Sequence, residues 1–154
     1  MVTRAEGGFT MVEMLTTLTI VGILASLAAP AFTSLIASQK VKTSASMLQS
    51  SLLMARSEAI KRNTDVTVSP INGNWASGWT VTVVVSSTSE VLANNNKSTQ
   101  ASITGGPTSV QYNNAGRAPT GGGNTFKFSS SSTSDIRCLN VDLSGMPMIT
   151  TSGC

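Results

Sequence analysis

The chain has 154 residues and a formal charge of +3, and only 11% of its residues are charged, against about 25% in an ordinary soluble domain. The length fits one domain, and so small a charge does not by itself indicate a nucleic-acid-binding protein. The sequence has no histidine and only two cysteines, which excludes the commonest general base and any cysteine-rich metal site. We therefore predict no cofactor, no metal site and no enzymatic activity.

The first predicted element is an apolar helix that begins near Phe9. Residues 9–32 would form a helix about 36 Å long, enough to cross a hydrocarbon layer of about 30 Å. No charged residue occurs between Met14 and Gln39, but Glu13 lies at the head of the run. An unpaired carboxylate drawn into lipid costs roughly 2–3 kcal/mol or more. A membrane helix here therefore requires a partner for Glu13.

Three interpretations of this segment are open from the residues alone. It is a secretory signal, with Arg4 before the apolar run and a mature start after Ala31; it is a plain membrane anchor; or it is cut after Gly8. Only the third explains Glu13, because the cut gives Phe9 a free ammonium group. In an assembly, that group of one subunit can neutralise the Glu13 carboxylate of its neighbour.

Two residues are expected to weaken the same helix. Pro30 lacks an amide hydrogen and its ring crowds the preceding turn, which predicts a bend or loosening over residues 26–29. Gly22 lowers the helix propensity of the stretch before it. A kink is therefore predicted near the end of the apolar run.

The helical pattern continues beyond the apolar run. Apolar residues recur three or four positions apart along one face: Val41, Ala45, Leu48, Leu52, Ala55 and Ala59. No proline or glycine lies within residues 31–68, and Lys61-Arg62-Asn63 is typical of a helix end. We predict one helix of about 50 residues whose second half packs on a globular domain.

After Asn63 the apolar period becomes two, which predicts strands. They are expected at residues 65–69, 79–85, 125–128 and 136–143, with residues 146–150 closing a hairpin around Ser144-Gly145. The turn-rich stretch 86–108 is expected to be a mobile loop. The predicted fold class is α+β, a lollipop in which one long helix packs on an antiparallel sheet.

Cys138 and Cys154 are expected to form a disulfide, which would require an oxidising compartment. Closing a loop of about 16 residues contributes roughly 3 kcal/mol to stability. Two free thiols are the alternative.

Residues 8–14, GFTMVEM, resemble the processing site of class III signal peptides, which type IV pilins and pseudopilins carry. The family has glycine before the cut, phenylalanine after it, glutamate at the fifth mature position and proline at the twenty-second. The matching residues are Gly8, Phe9, Glu13 and Pro30.

This resemblance implies a domain organisation and a processing route. Residues 1–8 would be a leader peptide that prepilin peptidase removes, and Phe9 would then be N-methylated. Residues 9–36 would form the transmembrane and fibre-core helix. Residues 37–154 would form a periplasmic globular domain that includes an amphipathic helix at residues 37–62. In the fibre, the helix near Pro30 would extend locally.

A narrower resemblance covers the helix end and the strand after it. Residues 52–68, LLMARSEAIKRNTDVTV, and residues 73–83, GNWASGWTVTV, resemble the branch that contains the H-type pseudopilins of type II secretion and the FimT and FimU minor pilins. Its recurring marks are ARSEA at residues 55–59 and Trp75 with Gly78-Trp79. A cysteine usually precedes the tryptophan motif in that branch, whereas Ser69-Pro70 stands there in this sequence.

The resemblance implies a structural subunit at or near the tip of a type II secretion pseudopilus or a type IV pilus, and it does not choose between them. The subunit would cross the bacterial inner membrane once before it enters the fibre. Its expected partners are other pilins or pseudopilins, the prepilin peptidase, an inner-membrane assembly platform and membrane lipid.

DNA binding is the alternative function. Some FimT-type pilins bind DNA during natural transformation through a Gly-Arg-x-Arg motif, but residues 145–148 read Gly-Met-Pro-Met here. Replacing both arginines removes phosphate contacts. A different basic patch would need Arg117, Lys127 and Arg137 to converge.

Two further clusters have both a structural and a functional interpretation. Trp75 and Trp79 resemble a platform for stacking carbohydrate or bases, but we expect them to pin a hairpin onto the helix. Arg56 and Glu58 are too close in sequence to face each other across a helix. We expect them to form a buried salt link or a cap to the domain rather than a catalytic pair.

Overall fold

The computed structural model describes residues 8–96 and 101–154. Of the predicted leader, only Gly8 lies within the described residues. These contain one α-helix, α1 (Met11–Arg62), and eight strands: β1 (Val66–Pro70), β2 (Trp79–Val85), β3 (Thr88–Asn95), β4 (Ser102–Gly105), β5 (Val110–Tyr112), β6 (Asn124–Ser130), β7 (Thr133–Val141) and β8 (Pro147–Thr150). Two short 3-10 helices, Ile71–Gly73 and Trp75–Ser77, join β1 to β2.

The ends of α1 lie where the sequence predicts them. At the start, the Thr10 hydroxyl accepts a hydrogen bond of 3.2 Å from the Glu13 amide, and the Glu13 carboxylate accepts one of 3.5 Å from the Thr10 amide. This is a capping box, which satisfies two otherwise unpaired amides. At the other end Asn63 adopts a left-handed conformation and bonds back to the last turn, with Lys61 and Arg62 beside the helix carbonyl end.

α1 has two halves with different surroundings. Up to Ile36 nearly every side chain is exposed, whatever its direction around the helix axis. From Ala37 onward one face is buried, and it contains the whole predicted stripe from Val41 to Ala59. The helix is continuous through Pro30, and the bend over residues 26–29 stays a prediction. Among the described residues, α1 is the one helix long and apolar enough to cross a membrane.

The predicted α+β fold, one long helix packed on antiparallel strands, is confirmed, and the strands are divided between two sheets. The first sheet has the strand order β3-β2-β1-β5, and the second sheet has the order β4-β6-β7-β8. The prediction of a loop over residues 86–108 is wrong for most of that stretch, because β3 and β4 both lie there. Ser86 and Ser87 both have positive φ, which suits the tight turn of a hairpin, and β3 pairs with β2 from Thr88 onward.

The buried half of α1 and the inner faces of both sheets share one hydrophobic core. Its largest fully buried side chains include Trp79, Tyr112, Phe126, Phe128 and Leu48. α1 contacts β1 and β5 of one sheet and β6, β7 and β8 of the other. The helix therefore lies across both sheets and holds them in one domain.

The disulfide between Cys138 and Cys154 is present, with the two Cα atoms 5.2 Å apart. It ties the end of the chain to β7. The predicted hairpin around Ser144-Gly145 is also confirmed, since β7 and β8 pair in antiparallel register. The Asp142 side chain holds the turn by accepting hydrogen bonds from the Ser144 hydroxyl at 2.6 Å and the Met146 amide at 3.0 Å.

Candidate assembly site

The exposed half of α1 is the most unusual surface of the molecule. Apolar side chains project from it in all directions, and Phe9 is 78% exposed just before the helix starts. Soluble domains rarely leave so large an apolar surface open to water, so this surface requires either lipid or the helices of other subunits. No side chain of the globular domain covers Gly22, where an added Cβ atom would meet nothing within 4 Å.

The predicted cleavage site lies outside regular secondary structure. Gly8 and Phe9 precede α1, and both are exposed. A peptide bond in this position is open to a protease without unwinding the helix. The structure therefore places the two residues where cleavage is geometrically feasible, while the cut itself stays a prediction.

Glu13 has a local partner that the sequence interpretation missed. Its carboxylate closes the capping box with Thr10, so helix capping is a second role for this residue. Glutamine supplies the same hydrogen bond without a charge. The capping role and the predicted charge pairing with a neighbouring N-terminus are therefore separable by experiment.

A set of contacts along one flank of α1 fixes the helix to the β5–β6 loop and to the β7–β8 end of the second sheet. The Arg56 Nε atom donates a hydrogen bond of 2.9 Å to the Gly116 carbonyl, and Arg56 Nη1 lies 3.5 Å from the Met146 sulfur. The Gln49 amide nitrogen donates one of 3.1 Å to the Pro147 carbonyl. Of the two roles predicted for Arg56, a buried salt link or a cap to the domain, the structure shows the cap.

Glu58 lies on the opposite flank and does not pair with Arg56. Its carboxylate accepts a hydrogen bond of 2.7 Å from Arg62 Nε and lies 3.6 Å from the Lys61 ammonium. Arg62 also reaches Glu90 of β3 at 3.1 Å. The Arg62 hydrogen bond lowers the pKa of Glu58 below its ordinary value, so Glu58 stays ionised. This ion cluster ties the helix end to the first sheet.

A third polar group lies where α1 enters the domain. The Ser38 hydroxyl donates to the Asp135 carboxylate, and the Lys42 ammonium lies 4.0 Å from the same carboxylate. The Ser38 hydrogen bond, together with the charges of Arg137 and Lys42, lowers the pKa of Asp135. The sequence contained no pattern that predicted this group, because Ser38 and Asp135 are 97 positions apart.

The two tryptophans are not a stacking platform. Trp75 is 5% exposed and Trp79 is 1% exposed, so neither ring face is open to a ligand. The Trp75 ring packs edge-on against Phe126, and its Nε1 donates a hydrogen bond of 2.8 Å to the Pro107 carbonyl. Trp75 therefore holds the β1–β2 connection against the second sheet. The sequence had predicted that the tryptophans hold a hairpin against the helix.

The candidate DNA contacts do not form one patch. Lys127 lies opposite Cys138 in the β6–β7 register and Arg137 lies opposite Phe128, so the two side chains leave opposite faces of the sheet. Arg117 follows Gly116, which contacts Arg56 near the end of α1. Arg137 is two residues from Asp135, which contacts Ser38 near the middle of α1. The convergence that a basic patch would require is absent.

The described ranges contain no group of three or more His, Cys, Asp or Glu side chains that could hold a metal ion. The polar clusters described above are ion pairs and hydrogen bonds between elements of the fold. Each one joins α1 to a sheet or closes a turn.

A long helix that is exposed along one half and packed across two antiparallel sheets along the other half defines the class of pilin-like proteins. Residues 44–145 match the family described as Type II transport protein GspH, and residues 3–29 match the prokaryotic N-terminal methylation motif. The chain therefore belongs to the GspH family, and it is a minor pilin or pseudopilin subunit. Members of this family are structural pilins.

Solved structures share this fold. A crystal structure of the type IV minor pilin FimU of Pseudomonas aeruginosa strain PAO1 has a TM-score of 0.59 and 20% identity, covering 75% of this chain and 90% of that one. A second crystal form of FimU has a TM-score of 0.60 and 18% identity, covering 71% of this chain and 91% of that one. A search of curated proteins finds no match.

Proposed function

We propose that this chain is a minor subunit at or near the tip of a type II secretion pseudopilus or a type IV pilus. It is made as a precursor, held in the bacterial inner membrane by residues 9–36 with the rest of the chain in the periplasm, and cut after Gly8. Phe9 is then methylated and the subunit enters the fibre through an inner-membrane assembly platform. The protein has no catalytic turnover of its own.

One observation carries this proposal. The exposed apolar half of α1 is continuous with a buried half, so the segment that would cross the membrane is rigidly joined to the globular domain. A cleavable secretory signal does not need such continuity, because it is removed at its far end. A helix that moves from lipid into a bundle formed with the helices of other pilins keeps its apolar surface covered in both states.

Glu13 accounts for the step in which the subunit passes from the membrane into the fibre. In the mature chain the Phe9 ammonium lies four residues before the Glu13 carboxylate. Within lipid the two charges of one helix cannot be left unpaired without cost, and packing against a neighbour offers each of them a partner. Pairing between subunits then favours assembly over the isolated membrane state.

The deciding experiment separates charge pairing from helix capping at Glu13. Glu13→Gln keeps the capping hydrogen bond and loses the charge, so we expect it to fold and insert as the parent does but to enter fibres poorly. Thr10→Ala is the matched control, because it removes the capping hydroxyl and keeps the charge. The measurement is the amount of each variant in sheared fibres relative to the membrane fraction.

Mass spectrometry of the protein recovered from membranes and from fibres tests the processing steps. The expected N-terminus is a methylated Phe9. A native chain that starts near Thr33, or that keeps its first eight residues inside a fibre, would contradict the proposal. Deletion of the gene, scored for secretion and for piliation, then assigns the chain to one of the two machines.

A further inference from the structure

A polar cleft opens where α1 leaves the globular domain. It has a volume of about 500 Å³ and is bounded by one side of the helix and by the turn between β6 and β7. Its lining residues are Thr33, Ile36, Ala37 and Lys40 from α1, and Ser130, Ser131 and Ser132 from the turn.

The cleft contains a positive charge that the fold does not use. In the described part of the chain, ion pairs involve Lys42, Lys61 and Arg62 but not Lys40. Lys42 is two residues further along α1 and therefore about 200° around the helix, where it approaches Asp135 at 4.0 Å. Asp135 also accepts a hydrogen bond from Ser38, so its carboxylate pairs with residues on the flank of α1 opposite Lys40.

The turn opposite Lys40 presents hydroxyl groups. The Ser130 hydroxyl oxygen accepts a bond of 3.4 Å from the Ser132 amide, which holds the two-residue turn. The side chains of Ser131 and Ser132 are both exposed. Among the described residues, the side chain of Ser131 takes part in no hydrogen bond. An ammonium group facing free hydroxyl donors is a favourable environment for an anion with several oxygen atoms.

The depth of the cleft indicates which anion is available, and this step rests on the proposed membrane helix. With a rise of 1.5 Å per residue and a hydrocarbon layer of about 30 Å, a span that begins at Glu13 ends near Thr33. The Lys40 backbone then lies about 10 Å further out, just beyond a headgroup layer about 5–8 Å thick, and the cleft from Thr33 to Lys40 extends across that layer. The flexible lysine stem can reach back toward lipid phosphates.

We propose that this cleft binds the phosphate group of an anionic phospholipid. The Lys40 ammonium supplies the charge and the hydroxyls of Ser131 and Ser132 donate hydrogen bonds, while the exposed side chain of Ile36 contacts the glycerol region next to the phosphate. An apolar protein surface in the cleft would leave the Lys40 ammonium and the serine hydroxyls without partners. The bound lipid sets the depth and the orientation of the domain on the membrane before assembly.

The test uses the full mature chain, residues 9–154, in a neutral detergent. Phosphatidylglycerol is titrated, and bound lipid is counted by native mass spectrometry, with phosphatidylcholine as reference. We expect Lys40→Gln to weaken phosphatidylglycerol binding about fivefold, the effect of one basic residue near an anionic surface. Lys61→Gln, the same change at an exposed lysine far along the same helix, is expected to leave binding unchanged.

A second variant tests whether the serine hydroxyls form a specific lipid site or whether Lys40 alone attracts anionic lipid. Ser131→Ala combined with Ser132→Ala keeps every charge, and we expect it to weaken binding about threefold through lost hydrogen bonds. Unchanged lipid binding in this variant would overturn the proposal that the cleft binds lipid. Equal losses of binding in Lys40→Gln and Lys61→Gln would overturn it as well. Displacement of the lipid by inorganic phosphate would overturn the lipid as its ligand.

Failure of this inference is distinguishable from failure of the proposed function. A protein that stays in the membrane fraction, but whose lipid binding is the same with and without Lys40, contradicts the cleft alone. A protein that does not enter the membrane fraction contradicts the proposed function.

Discussion

The Nε atom of Arg56 donates a hydrogen bond of 2.9 Å to the main-chain carbonyl of Gly116, 60 positions further along the chain. This contact joins the last turns of α1 to the loop between β5 and β6. It also places the guanidinium group beside Met146, so that one side chain connects the helix, that loop and the β7–β8 turn.

Arg56→Ala is expected to lower the free energy of unfolding by about 1.5–3 kcal/mol, because a hydrogen bond from a charged donor is lost and the Gly116 carbonyl is left without it. Lys61→Ala is the control, since the Lys61 side chain is 76% exposed. Unfolding of the full chain in detergent is followed by the fluorescence of the two buried tryptophans. Equal stability of the two variants would show that the Arg56 contact contributes nothing.

Gly145→Ala is expected to destabilise the fold by about 2 kcal/mol or more. Gly145 has a φ of +82°, which other residues adopt only with strain, and an added Cβ atom would collide with the Gly116 carbonyl. Gly153→Ala is a matched control, because Gly153 has a similar φ of +85° but nothing within 4 Å of an added Cβ atom. The difference between their thermal unfolding midpoints measures the cost of the collision. No difference would mean that the backbone strain is the whole effect.

Acid should weaken the contact between α1 and the β6–β7 hairpin. The pKa of Asp135 is lowered in the folded state, first by the Ser38 hydrogen bond, so its ionised form stabilises the fold at pH values above its ordinary pKa of 3.8. That contribution is lost as the pH falls from about 4 through the lowered pKa. Asp135→Asn should therefore be less stable than the parent at pH 7, and the difference should shrink as the pH falls below about 4. A difference that does not change with pH would contradict this account.

Tyr112→Phe is expected to leave the protein equally stable or to stabilise it by about 1 kcal/mol. The Tyr112 hydroxyl is buried and has no hydrogen-bond partner among the described residues, and its burial raises the pKa of the phenol, which stays neutral. Removing an unsatisfied hydroxyl removes a desolvation cost. Chemical denaturation of the two proteins provides the comparison. A loss of more than about 1 kcal/mol would show that an ordered water satisfies the group.

Reduction of the disulfide between Cys138 and Cys154 is expected to cost about 3 kcal/mol, the loop-closure value for a separation of 16 residues. The double variant Cys138→Ser, Cys154→Ser should show the same loss without reductant. Thermal unfolding with and without dithiothreitol tests this, and the double variant should be insensitive to the reagent. A reductant effect on the double variant would point to another cause.

The exposed polar strands show where prediction from sequence failed. β3 has no regular apolar alternation, and most of its residues are exposed, so its sequence is similar to that of a loop. It becomes a strand because the Ser86-Ser87 turn brings it into register with β2, and a register is a property of two segments together. β4 has only four residues and lies at the edge of the other sheet, where pairing with β6 defines it.

The sequence by itself determined the continuous helix, its two different halves and five of the eight described strands, β1, β2, β6, β7 and β8, because each depends on a pattern within a short window of residues. The processing site at Gly8 and Phe9 is a prediction from the same kind of pattern. Tertiary structure decided which polar side chains meet. Arg56 and Gly116, Ser38 and Asp135, and Lys40 and the serine turn are brought together by the packing of α1 across two sheets. The same packing separates Lys127 from Arg137, since neighbouring positions on a strand face opposite sides of a sheet. Contacts between distant segments depend on how the apolar faces pack, and no local pattern contains that information.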